Sequence, residues 1–408
     1  MLAGRAADRA ISKHDGRQYN RGHCFGRGGS GADRRTLGLS NGSKVWSATR
    51  DQIPALLRWC REVCEKVATG SDVRTGSGLD FLKPGRGLTE FPTDIVAADW
   101  PEAGYTRGEF VVTVARESVL LLDLELVVQS VAADRLLLAV EGHPKARPEY
   151  RFALDDKKWV AANRDADEVF VSTEADREPI PLETFFQEHS AALYTSNMDR
   201  IEGATLYAAA EQGPFDESLI EEVDWVSSRV NPLAEKPDNA EVDEQSLFDW
   251  LSTRLLHGGA EVVVCDDGAG EIADFVSMTR EGRSTRVELY HCKAAARYPV
   301  PGQRAEDLYE VAAQAVKSIR WADKRQLYRR IEHRHRKTKT GGKFLRGDLQ
   351  LAGELLEESR VALFGVVIVQ PGVGRRASPA MLEILAATDS YLAGADVEQL
   401  RVIGSVGS

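Results

Sequence analysis

The stretch Glu271–Lys293 reads EIADFVSMTREGRSTRVELYHCK. Two apolar, β-branched runs flank Glu281 and Gly282, the pattern of two strands joined by a tight turn. Asp274 interrupts the first run and Lys293 closes the second. A buried charge is costly unless it is paired or bound to a metal, so the two predict either a structural ion pair or a site. Residues two apart on a strand share a face. His291 and Lys293 therefore point with Leu289, while Glu288, Tyr290 and Cys292 point the other way. If Asp274 lies on the first of these faces, Asp274, His291 and Lys293 surround one point.

Outward from this hairpin the text keeps alternating between helix and strand. Asp243–Leu256 (DEQSLFDWLSTRLL) has helical spacing and ends at Gly258-Gly259. EVVVC is a buried strand stopped by Asp266-Asp267-Gly268. After Lys293, Leu308, Val311, Ala312, Ala315 and Ile319 make the apolar stripe of a second helix. RVALFGVVIVQPG is a fourth strand, followed by a helix near Ala380–Leu392 and a last strand, QLRVIGS. We predict that Glu261–Cys265, Ile272–Met278, Arg286–Cys292 and Leu363–Gln370 lie in one sheet. The fourth strand needs a crossover to reach the first three.

The earlier part of the chain differs. Residues 1–105 read as a loop-rich lead-in with one helix, Asp51–Ala68. Residues 106–230 carry short apolar runs (EFVVTVA, VLLLDLELVVQSV, RLLLAVEG, YRFAL, KWVAA, EVFVS) broken by turn residues, the text of a small barrel or sandwich. Residues 231–242 are polar, with two prolines, and read as a linker to a domain over 243–408. The class is α/β, with a β-rich accessory domain ahead of the mixed one.

Composition narrows the function. The chain has 408 residues, 43% of them hydrophobic and 28% charged, as in ordinary globular proteins. No stretch approaches the ~20 apolar residues of a membrane span, and MLAGRAADRAISKHDGR lacks the apolar run of a secretory signal. The five cysteines, Cys24, Cys60, Cys64, Cys265 and Cys292, are odd in number and scattered, which suggests a reducing cytoplasm. Cys60 and Cys64 sit one turn apart and read as helix packing. GRGGSG (Gly26, Gly28, Gly31) has no strand before it and reads as a flexible loop. Gly341-Gly342-Lys343 lacks the first Gly and the Ser/Thr of a P-loop, so this chain carries no ATP motor.

The C-terminal pattern resembles the PD-(D/E)XK nuclease superfamily over about Asp243–Ser405. Helix, three-stranded meander, helix and strand follow that family's order. Asp274 matches its acid on the second strand and Lys293 its lysine on the third. The second acid position is His291, giving His-Cys-Lys. Neutral imidazole can bind a divalent ion, though Mg²⁺ prefers oxygen ligands. Glu271 is close enough in sequence to add an oxygen; Asp266 and Asp267 are further candidates, and Glu288 is one only if a bulge shifts its strand. The family often places a polar residue on the helix after the third strand, where Gln314 stands, with Lys317 one turn on.

The resemblance implies a restriction-endonuclease-like domain. In it Asp274, His291 and Glu271 hold Mg²⁺ or Mn²⁺, Lys293 meets the developing charge, and Gln314 orients water or phosphate. It further implies DNA as substrate, a helicase or ATPase partner, and a bacterial restriction or anti-phage role. The other reading is a catalytically inactive, nuclease-fold DNA-binding or assembly subunit, which the histidine at the acid position favours. A small-molecule enzyme using the β-rich domain is a third, with no convergent polar motif behind it.

One charge signal supports an anionic partner. From Lys317 to Arg346 the chain has five lysines and seven arginines, against Asp323 and Glu332, in a protein of net charge −11. A local basic patch in an acidic chain marks a phosphate backbone more sharply than it would in a basic one. Lys317, Arg320, Lys324, Arg325, Arg329, Arg330, Arg334, Arg336, Lys337 and Lys339 are the expected nucleic-acid contacts.

Overall fold

The computed structural model of the chain describes residues 85–406 except 102, 107–108, 115, 156–157, 166–167, 174–177, 210–213, 238–243, 296–303, 338–340, 360 and 396; before these it describes 23–28, 35–40, 44–47 and residues 53, 54, 57, 60 and 61. Two compact units divide at residue 86. In the first, His23–Gly28, Arg35–Ser40 and Lys44–Ser47 form an antiparallel meander. The lead-in thus contains sheet, and Gly26 and Gly28 lie on a strand and not in a loop. Most of the expected helix Asp51–Ala68, with Cys64, lies outside the described residues, as does Gly31. Among the described residues no helix is long and apolar enough to cross a membrane. Cys60, Cys265 and Cys292 are free thiols.

The second unit, 87–408, is α/β, as the sequence predicts. Its C-terminal part is one mixed sheet. The strands are β1 (Ile220–Val223), β2 (Val262–Cys265), β3 (Phe275–Glu281), β4 (Ser284–Cys292), β5 (Lys343–Arg346), β6 (Val361–Val369) and β7 (Arg401–Ser405), in the order β1-β7-β6-β4-β3-β2-β5. The β4–β3–β2 meander and the β2–β5 pair are antiparallel. β6 runs parallel to β4, and β7 and β1 continue the parallel side. The four strands expected in one sheet are all in it.

Alternation along the strands sorts the two faces. Phe275, Tyr290, Cys292 and Val263 pack against Leu247, Phe248, Leu251 and Leu255 of helix α1 (Leu247–His257). Val276, Met278, Val287 and Leu289 face the other side. There α2 (Glu306–Ser318), α3 (Lys324–Lys337), α4 (Leu349–Glu358) and α5 (Pro379–Gly394) bury Leu308, Val311, Leu327, Ile331, Leu355 and Leu385. Helix α1 starts on a capping box, Ser246 accepting from the Asp249 N–H at 3.1 Å, which fixes its first turn.

The domain boundaries differ from the expected ones. Ile95–Asp99 pairs with Ala192–Thr195, so β structure of the second unit begins before residue 106. β1 belongs to the C-terminal sheet although it precedes the expected linker. Of that linker, residues 231–237 are held in place. Asn231 N–H donates to the Gln245 carbonyl at 2.9 Å, and the Pro232 carbonyl accepts from Ala295 N–H at 2.9 Å. The polar composition reflects turns that satisfy backbone groups.

The β-rich part has its own core, with Tyr150, Phe152, Phe185 and Phe186 fully buried and Trp100 stacked on Phe186 at 5.8 Å. The apolar run beginning at Val119 is two strands, not one. Glu117–Leu120 pairs with Phe110–Val114, Glu125–Ala132 pairs with Arg135–Glu141, and a 3₁₀ turn, Leu121–Asp123, separates them. Asp123 there faces α3. Arg330 donates to its Oδ1 at 2.7 Å, His333 lies 2.8 Å from its Oδ2, and Arg330 also reaches the carbonyls of Leu122 and Gly270. Gly270 (φ +71°) touches the Leu122 carbonyl and Asp123, leaving no space for a Cβ. Burial raises the Asp123 pKa, but His333 and Arg330 outweigh it and hold the carboxyl below its ordinary range.

Arg330 thus joins the β-rich part, α3 and the turn before β3. Removing one partner of a buried ion pair strands the other. Arg330→Ala should therefore cost about 3–5 kcal/mol in urea unfolding, whereas the exposed Arg325→Ala should stay within about 0.5 kcal/mol. Equal small effects for both would mean that the joint carries no stability.

Candidate metal centre

The turn Asp266–Asp274 sets the site. Asp266, fully buried, accepts from Ile272 N–H at 2.9 Å with one oxygen and from Arg334 Nε at 2.7 Å with the other. Its N–H donates to the Asp274 carbonyl at 3.0 Å. Arg334 also binds the Ala269 carbonyl at 2.8 Å. Gly341 lies against Arg334 and Asp266, where a Cβ has no room, and Gly342 takes φ +67°. The Gly341-Gly342 pair is therefore a close-approach turn.

Asp274 enters the sheet opposite His291, since Phe275 pairs with Tyr290 in an unbroken register. Its Oδ2 accepts from Cys292 N–H at 2.7 Å. One ligand atom from each of Glu271, Asp274 and His291 lies within 4.8 Å of the others. His291 is buried, and neither ring nitrogen has a hydrogen-bond partner. Burial, helped by the Lys317 charge, holds its pKa down at about 3, so the ring is neutral. Burial drives Asp274 up to about 8, with Glu235 and Asp267 adding to it against the Cys292 N–H and Lys236. Glu271 is raised well above its ordinary range by burial and then by Asp274.

Two carboxylates, each accepting one backbone N–H (Cys292 on Asp274 Oδ2, Gly268 on Glu271 Oε2 at 3.0 Å), and an imidazole without partners offer oxygen and nitrogen donors at one point, a set that could hold a divalent cation. Gln314 lines a pocket with Glu271 and His291, and its buried Oε1 has no partner. Lys317, on the same face of α2, lines it too and donates to Glu125 at 3.3 Å. The opposite wall comes from the β-rich part, with Asp99, Trp100, Tyr105 and Glu125. Sequence reasoning reaches Asp274, His291, Glu271 and Gln314, but not these wall residues, whose approach is long-range and has no local signal.

The other expected site residues have partners of their own. Lys293 is held by Glu310 at 2.8 Å and Glu235 at 3.6 Å. Glu288 stays on the opposite face, bonded to Tyr290 Oη at 2.6 Å and to Arg401, with no bulge to turn it. Asp266 is committed to Arg334, and Asp267 pairs with Lys236 at 2.8 Å.

The basic stretch divides in two, which corrects part of the expected nucleic-acid surface. Arg330 and Arg334 are buried with Leu327 and Ile331 at i, i+3, i+4, i+7 spacing, and each spends its guanidinium on acceptors of the fold. Arg320 is spent likewise, on Asp99 at 3.0 Å and over the Tyr105 ring. Lys324 donates to the Ser359 carbonyl at 2.8 Å. Arg325, Arg329, Arg336 and Lys337 remain exposed, Arg336 in an i,i+4 pair with Glu332. Lys339 lies outside the described residues.

No protein-family model, curated protein or solved structure matches this chain.

Two outcomes test the centre. Mn²⁺ should raise the melting temperature of the wild type more than that of Asp274→Ala or His291→Ala; equal shifts in all three would place metal binding elsewhere. Without metal, Asp274 keeps its proton in the folded state up to about pH 8, against an ordinary value of 3.8. Its contribution to stability is therefore fully present below pH 3.8 and lost as pH rises toward 8. Asp274→Asn should then be more stable than wild type in metal-free thermal melts at pH 8, with the gap closing toward pH 4.

Proposed function

We propose that the chain is a metal-dependent DNA nuclease whose centre is built on Glu271, Asp274 and His291. The observation that carries this reading is the convergence of half-buried Glu271 with buried Asp274 and His291, with no compensating partner on His291, at the end of a β-meander. A bound divalent ion supplies a Lewis acid for a phosphate oxygen and lowers the pKa of a water. The imidazole in the donor set favours Mn²⁺ over Mg²⁺. In hydrolysis a water oxygen bonds to phosphorus, and the phosphorus bond to the departing sugar oxygen breaks. The water gives up its proton and the sugar oxygen takes one up. Gln314 Oε1 is an acceptor placed to orient that water. Arg325 and Arg329, one turn apart on the outer face of α3, with Arg336 and Lys337 beyond, attract the phosphate backbone.

The resemblance to the PD-(D/E)XK superfamily extends the proposal to a restriction or anti-phage role beside a helicase. A second reading, an inactive DNA-binding or assembly subunit, is favoured by one observation. Lys293, the residue that matches the family lysine, is tied to Glu310 and Glu235.

Cleavage of plasmid DNA with Mn²⁺ separates the two: wild type should cut, and Asp274→Ala should lose at least about 100-fold. Wild type inert with every metal supports the inactive subunit; cutting that survives Asp274→Ala puts the chemistry elsewhere. Reversing Arg325, Arg329, Arg336 and Lys337 to Glu should weaken DNA binding and flatten its dependence on salt by about 0.9 log units for each phosphate no longer neutralised. An unchanged salt slope would reduce that face to a solvated surface.

A further inference from the structure

We propose that Lys317, and not Lys293, is the cation that meets the substrate's phosphate oxygens at the metal centre. The inference rests on the metal-dependent reading above and assigns a further residue to it. Three observations carry it.

The first is place. Lys317 lines the pocket that also holds Glu271, His291 and Gln314; neither Lys293 nor Asp274 is among its lining residues. Glu310, Gln314 and Lys317 stand at i, i+4 and i+7 on α2, one row along one helix face. The row meets Lys293 at its first member, through Glu310, and reaches the metal ligands only further down.

The second is commitment. Lys293 shares two carboxylates, Glu310 and Glu235. Arg320, the other cation lining the pocket, is spent on Asp99, the Lys317 carbonyl and the Tyr105 ring. Among the described residues the ammonium of Lys317 has one carboxylate partner, Glu125 at 3.3 Å.

The third is the asymmetry of that pair. The side chain of Lys317 is 14% exposed, and that of Glu125 is 39% exposed. Glu125 can turn to water, whereas Lys317 stays enclosed. A phosphodiester carries one negative charge per phosphate, so it takes over the position of the Glu125 carboxylate on Lys317 without leaving an unpaired buried charge. The divalent ion is met by Glu271 and Asp274, and the incoming phosphate by Lys317. The β-rich part, by supplying Glu125, holds the pocket's anion place until substrate arrives.

The test is calorimetric titration of Mn²⁺, and then of thymidine 5′-monophosphate, into wild type, Lys317→Met, Lys317→Arg and Lys293→Met. Mn²⁺ should bind the three variants as tightly as wild type, and Lys317→Met at least as tightly, since that change removes a repelling charge. The nucleotide should bind the Mn²⁺-loaded wild type and Lys293→Met within twofold of each other, lose at least tenfold in Lys317→Met, and recover most of its affinity in Lys317→Arg. That recovery separates loss of charge from misfolding. Wild-type nucleotide affinity in Lys317→Met, or its loss in Lys293→Met instead, overturns the inference and leaves the metal reading standing. Failure of Mn²⁺ to bind wild type overturns both.

Discussion

Two arginines of one helix, Arg330 and Arg334, are the constraint on which the candidate site depends. Each is buried, and a buried guanidinium must find acceptors for a rigid fork of donors. Arg334 finds them in Asp266 and in the carbonyls of the turn that carries Glu271. Arg330 finds them in Asp123, Leu122 and Gly270. Because each guanidinium bonds several groups at once, it fixes positions as well as charge. The turn before β3, the 3₁₀ turn of the β-rich part and helix α3 are thereby brought to one place. The wall formed by Asp99, Trp100 and Glu125 follows from this joint.

Inside the joint the charge balance is reversed. Around Arg330 and Arg334 every charge has a partner; at the centre Glu271 and Asp274 each accept one backbone N–H, and neither ring nitrogen of His291 has a partner. Burial keeps His291 neutral and pushes both carboxyls toward their protonated forms. A fold rarely encloses such a set without a use for it, because each group loses hydration. In the proposed centre a divalent ion restores the balance, and the neutral imidazole is already in its ligand form. The surrounding joint holds the donors in place beforehand, so little ordering remains when the ion arrives.

Much of this is legible in the sequence, and the failures have definite causes. The α/β class and the four-strand core follow from period-2 alternation, which burial enforces strongly; alternation puts His291 and Lys293 on one face, and only the register of β3 on β4 adds Asp274 to it. The run beginning at Val119 reads as one strand because its hydropathy is nearly continuous; its break is set by Asp123 turning toward a helix some 200 residues on in the chain. The domain boundaries fail for a similar reason. A parallel strand such as β1 recruits its neighbour from the far end of the chain, and polar turns mimic a linker. Arg330 and Arg334 read as surface by their charge, although with Leu327 and Ile331 they occupy the i, i+3, i+4, i+7 positions of a buried stripe. The spacing of Gln314 and Lys317 likewise puts both on one face, but nothing local tells which wall they meet.

Pulsed electron paramagnetic resonance of the Mn²⁺-loaded protein reads out whether His291 ligates the ion beside Asp274 and Glu271. A ligating His291 predicts an electron spin-echo modulation from a single directly coordinated imidazole nitrogen, absent in His291→Leu, with Mn²⁺ still bound by the two carboxylates at lower affinity. Bound Mn²⁺ with no nitrogen coupling, or the same coupling in His291→Leu, would contradict it.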